Sequence, residues 1–136
     1  MKKEEISIMN SNEDSLSSCN GILSFNEALT LFRLIEKHMK PNDSDFMELY
    51  SAFIKSAVKY SQIRAEWYLM EIDEKVQKDS FRTILHNSFI DSCNILSRYM
   101  NNMKLDSSWR ERLGDDRKRI GDFACYISAI LGIKSR

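Results

Sequence analysis

The 136-residue sequence holds one proline and four glycines, too few to punctuate the many short strands of a sandwich or barrel. Its three cysteines, Cys19, Cys93 and Cys125, and two histidines, His38 and His86, include no Cys-x-x-Cys pair. The ligand spacing of a structural zinc site is therefore missing. An odd cysteine count with no spacing pattern suits a reducing compartment, and Cys93 and Cys125 read as small packing residues. Neither sign of charge dominates: 20 Lys and Arg face 20 Asp and Glu. A net charge of zero argues against a chain-wide basic footprint for nucleic acid and against an acidic solvating tail. Long apolar runs are missing too. The longest, Phe123 to Ile133, is eleven residues with Ser128 and Gly132 inside it, against roughly 20 for a membrane-spanning helix. Met1-Lys2-Lys3 is followed at once by Glu4-Glu5, which does not read as a secretion signal. The expectation is a cytoplasmic protein with neither membrane nor nucleic acid as partner.

What is present is helical periodicity. The polar residues 1–23 are expected to form a flexible arm, and residues 24–136 a single helical domain. Ser24 and Glu27 have capping-box spacing, with Leu23 placed to staple onto Ala28. Phe25, Leu29, Phe32, Ile35 and Met39 follow on one face, and Pro41 ends that helix. A second helix is predicted to start near Asp43–Asp45, with two apolar stripes that require neighbours on two sides. A third is predicted over 80–103 and a fourth from Ser108 onward.

No glycine or proline separates the second and third helices. A single rod over 45–103 would be about 88 Å long at 1.5 Å per residue, against a radius of gyration near 14 Å for a compact chain of this size. The pattern must break, and the polar run Glu74–Ser80 is the expected place. The fold class predicted is all-α, an antiparallel up-and-down four-helix bundle.

Along the last helix, Gly114, Gly121, Cys125, Ser128 and Gly132 make a stripe of small residues. Such a stripe lets another backbone approach closely, and it motivates a homodimer interface there. The basic run Arg110, Arg112, Arg117, Lys118 and Arg119 is interleaved with Glu111, Asp115, Asp116 and Asp122, and reads as a salt-bridged helix face. Trp67 and Trp109 read as packing anchors.

The sequence has no phosphate-cradling glycine loop and no nucleophile elbow. Polar candidates concentrate on the second and third helices. Asn87, Asp91, Asn94 and Arg98 are spaced four, three and four, with His86 beside them. A hairpin turning near residue 78 sets Glu66 level with Asp91, and Glu71 level with His86. Carboxylates facing one another across a bundle can hold Mg²⁺. Glu71-Ile72-Asp73-Glu74 resembles the Glu-x-x-Glu of the all-α nucleotide pyrophosphohydrolases of the MazG and dimeric dUTPase type. The second half, Asp91-Ser92-Cys93-Asn94, departs from their Glu-x-x-Asp at both ends. That resemblance implies a Mg²⁺-dependent hydrolase using Glu66, Glu71, Glu74, Asp91 and His86. The competing reading of these acids is a solvated helix face. Arg82 and His86 also resemble the Arg–His signature of HEPN ribonucleases, with three intervening residues in place of four to six. The reading preferred from sequence is a non-enzymatic protein-binding or regulatory module. It needs no cofactor or metal, has a protein partner and is open to homodimerisation.

Overall fold

The computed structural model describes residues 22–134, so the expected arm lies outside the described residues except for Ile22 and Leu23. Described secondary structure is helical, without strands: α1 (Phe25–Glu36), α2 (Ser44–Trp67), α3 (Ile72–Asn102), α4 (Ser108–Leu113) and α5 (Arg117–Lys134). No described helix is long and apolar enough to cross a membrane.

Ser24 caps α1 as its spacing requires, its Oγ accepting the Glu27 N–H at 3.1 Å, and Leu23 is buried just before it. The Glu27 carboxylate turns to Arg119 instead of back to the cap. Asp43 caps α2. Its Oδ1 accepts the Phe46 N–H at 3.1 Å, and its Oδ2 accepts the Tyr99 hydroxyl at 2.7 Å. That hydroxyl bond holds the Asp43 carboxyl below the usual carboxylate range and pushes Tyr99 up to about 12.

Helices α2 and α3 run antiparallel. Phe46 meets Tyr99, Phe53 stacks on Phe89 at 5.6 Å, and Tyr60 stacks on His86 at 4.7 Å. The turn between them falls at Tyr68–Glu71, not in the run Glu74–Ser80. No helix breaker sits there. Instead Glu71 caps α3, and its N–H donates to the Glu74 carboxylate at 3.5 Å, a reciprocal capping box. Starting at Ile72, α3 runs 31 residues.

The core centres on Phe53 of α2. Its ring lies 5.6 Å from Phe89 of α3, 6.0 Å from Trp109 of α4 and 6.2 Å from Phe123 of α5. All four are fully buried, as are the packing residues Cys93 and Ala57. Thus α2 packs on α3 and α5, and α1 lies chiefly on α5 and α4. After α3 the chain turns through Lys104 in the left-handed region (φ 61°). The Lys104 and Leu105 N–H groups return to the Asn101 and Met100 carbonyls, a Schellman ending.

The predicted last helix is two helices. Gly114 breaks it at φ 82°, ψ −174°, a conformation essentially restricted to glycine. The basic run is correspondingly not one salt-bridged helix face. Arg110 donates to Asn94 of α3 at 2.8 Å, to the Gly114 carbonyl at 2.7 Å and to Asp115 at 3.0 Å. Arg119 is buried, 6% exposed. It donates to the carbonyls of Leu113, Arg112 and Ile22 and to the Glu27 carboxylate, over 2.8–3.2 Å. Asp116 caps α5, accepting the Lys118 and Arg119 N–H groups.

Lysine is a point charge on a single stem and cannot reach the four acceptors that a guanidinium fork spans. Arg119→Lys should therefore lose about 1–3 kcal/mol, and Arg119→Ala about 3–5 kcal/mol. Urea unfolding of the two variants checks this, and unchanged midpoints would remove the assigned role.

Candidate functional site

The carboxylates singled out by sequence do not converge. Because the hairpin turns earlier than expected, Trp67 faces Arg82 at 4.7 Å, and Ser56 meets Ser92 at 2.8 Å. Glu66 therefore lies beside the first turns of α3. Asp91 lies level with the middle of α2, on the order of 15 Å away along the axis. Glu66, Glu71, Glu74 and Asp91 are all exposed, and Glu71 and Glu74 serve the α3 cap. Among the described residues no three His, Cys, Asp or Glu side chains gather to hold a metal ion.

The stripe of small residues is used differently at each position. Gly114 makes the α4–α5 break. Gly121 is where α2 comes close: a Cβ there would stand 3.0 Å from the Tyr60 hydroxyl oxygen and 3.1 Å from Arg64 Nη1. Cys125 is half-buried, and its sulfur accepts from Arg64 at 3.7 Å. Burial raises its thiol, so it is less reactive than a free cysteine. Ser128 lines a shallow groove between α2 and α5. At Gly132 an added Cβ would meet nothing within 4 Å.

His86 is the one predicted site residue that the fold brings into a built environment. It lines a cleft of about 500 Å³ formed where α2, α3 and the start of α5 meet. The last turns of α2 supply Tyr60, Arg64 and Trp67, with Tyr68 just beyond them. Helix α3 supplies Arg82, Thr83, His86 and Asn87, and α5 supplies Arg117 and Lys118. Four side chains of this lining are cationic and none is a carboxylate.

The four cations are not equally compensated. Arg64 is paired with Asp122 at 2.8 Å. Arg82 is paired with Asp79 at 3.0 Å and lies over the Trp67 ring. Among the described residues Arg117 has only neutral acceptors: its Nη2 donates to His86 Nδ1 at 2.8 Å and to Asn87 Oδ1 at 2.9 Å. Lys118 is exposed.

Because a guanidinium cannot accept, His86 Nδ1 must be the acceptor and the neutral ring carries its proton on Nε2. That atom is out of solvent contact and has no partner among the described residues, and neither has Arg82 Nε. His86 is 5% exposed. Burial first, then Arg117, Arg82 and Arg64, hold its pKa below the ordinary value of 6.5.

Beside the cleft, the hairpin tip leaves apolar side chains in water. Tyr68 is 77% exposed, Leu69 86%, Ile72 77% and Val76 74%. Sequence reasoning named His86, Arg82 and Asn87 but missed Arg64 and the aromatic wall, and it assigned Arg117 and Lys118 to a salt-bridged helix face. Because three separate helices contribute them, they left no local motif to find.

A histidine whose folded pKa is depressed makes its full contribution to stability above pH 6.5, and stability falls as pH drops through the folded value. The chain should therefore lose stability as the pH falls below about 6.5, and His86→Gln should flatten that slope. The depressed Asp43 and Asp106 carboxylates act lower, below their ordinary 3.8. Urea midpoints at pH 7.5, 6 and 5 measure this, and a flat wild-type profile would contradict a buried neutral ring.

Neither the models of known protein families, nor the curated proteins, nor the solved structures gave a match to this chain.

Proposed function

We propose that this protein is a non-enzymatic binding module, and that its recognition site is the cationic cleft between α2, α3 and α5. The supporting observation is Arg117. A guanidinium whose described partners are a neutral imidazole and a neutral amide leaves positive charge in a cleft whose lining has no carboxylate. The concave wall lowers solvent screening, so an anion entering it gains more than at an open surface. The size is that of ordinary small-ligand sites.

The test uses the full chain in low salt. Pyrophosphate, phosphate or sulfate should raise the melting temperature, with about 2.7 kcal/mol of stabilisation at 100 times the dissociation constant. The gain should shrink as salt rises. Arg117→Ala, at an exposed position, should weaken pyrophosphate at least tenfold. No shift with any of the three anions would overturn the reading.

A second reading, a protein partner, is favoured by the apolar strip Leu69, Ile72 and Val76 at the hairpin tip. Isolated exposed apolar residues are common, but contiguous ones mark contact surfaces. If the partner is a second copy, sedimentation should show concentration-dependent association that Ile72→Lys abolishes. A strict monomer would rule out that homodimer.

A further inference from the structure

Resting on the cationic-cleft reading above, we propose that the ligand is a mononucleotide, with its phosphate at Arg117 and Lys118 and its base against the Trp67–Tyr68 wall. Two independent features point there. The first is charge. Among the described residues Arg117 donates only to the neutral His86 and Asn87, and Lys118 is exposed, so the cleft offers a phosphate two cations. The second is aromatic surface held open. Tyr68 is 77% exposed at the cleft rim, and the neighbouring Trp67 ring already carries Arg82 at 4.7 Å. A base stacked on such a platform gains about 1–3 kcal/mol. Arg82 and His86 stand one helical turn apart on α3. That is close to the distance a sugar places between a phosphate and its base.

The surroundings favour one nucleotide over a strand of them. Asp79 sits against Arg82, Asp122 against Arg64, and Asp116 caps the first turn of α5 beside Arg117. A phosphate backbone leaving the cleft would meet these carboxylates. A cleft of about 500 Å³ instead encloses a single small ligand.

The experiment titrates the full chain by calorimetry and by tryptophan fluorescence. The probes are pyrophosphate, ribose 5-phosphate, nucleoside mono- and diphosphates with purine and pyrimidine bases, and a single-stranded oligonucleotide. Nucleotides should bind at least tenfold more tightly than ribose 5-phosphate or pyrophosphate. They should quench the Trp67 emission, a signal lost in Trp67→Phe, because Trp109 is fully buried away from the cleft. Tyr68→Ala should lower nucleotide affinity more than pyrophosphate affinity, and Arg117→Ala should lower both. Pyrophosphate binding without a nucleotide advantage would overturn the ligand class and leave the anion site standing. Tighter binding of the oligonucleotide than of any mononucleotide would also overturn it. No binding by any probe would overturn both readings.

Discussion

A guanidinium buried among backbone carbonyls has to be satisfied completely or it unfolds what surrounds it. Arg119 is in that position. Its donors reach the last carbonyls of α4, the carbonyl of Ile22 and the carboxylate of Glu27. Three stretches of chain, up to 97 residues away, are thereby tied to one side chain at the start of α5. The tie needs the chain to turn sharply after Leu113, and the turn needs Gly114 at φ 82°. Arg110 holds the other side of the same turn through Gly114 and Asn94. The direction in which α5 leaves follows from this arrangement. So does the delivery of Arg117 and Lys118 to the wall of α3.

Local signals in the sequence were legible where one interaction decides local structure. Ser24 and Glu27 announced a helix start, and the Ser24 hydroxyl accepts the Glu27 N–H as that spacing requires. The double stripe of α2 announced two neighbours, and Phe53 touches α3, α4 and α5. The all-helical class followed from such patterns. The α2–α3 turn was misplaced because the same two glutamates fit two readings. Glu71 and Glu74 have the spacing of a carboxylate ligand pair and also of a helix cap, and here they cap. Moving the turn from residue 78 to residues 68–71 shifted every cross-helix partner. Tyr60 took the place opposite His86 that the sequence reading had given to Glu71.

Charge was the least legible quantity. Equal totals of acid and base, interleaved along the basic run, suggested surface pairs, but pairing in the fold is uneven. Arg119 is enclosed and Arg110 is braced against α3. Arg117, two residues from Arg119, meets a histidine and an asparagine from another helix. A helix turns 100° per residue, so adjacent basic residues face different environments. A net charge of zero for the chain therefore does not prevent a local positive field. What no one-dimensional reading supplies is the crossing of α5 over α2 and α3, because it depends on the Gly114 break and on the tie through Arg119.

The cleft also gathers the places where the molecule departs from the rules that the rest of it obeys. Elsewhere the described buried polar groups are largely partnered, and only His38, Arg82 and His86 keep an enclosed nitrogen without one. Two of these three stand in the cleft, one turn apart on α3. The same corner leaves Tyr68 and Leu69 almost fully in water and a guanidinium among neutral acceptors. Each departure costs stability on its own, by desolvation, by exposed apolar surface or by uncompensated charge. A sequence under no functional demand has simple remedies for each, such as a carboxylate opposite Arg117 or a polar residue at position 69. Two of these, the exposed apolar surface and the charge among neutral acceptors, meet at one concave site, where a single bound molecule with an anionic end and a flat apolar end would relieve them together.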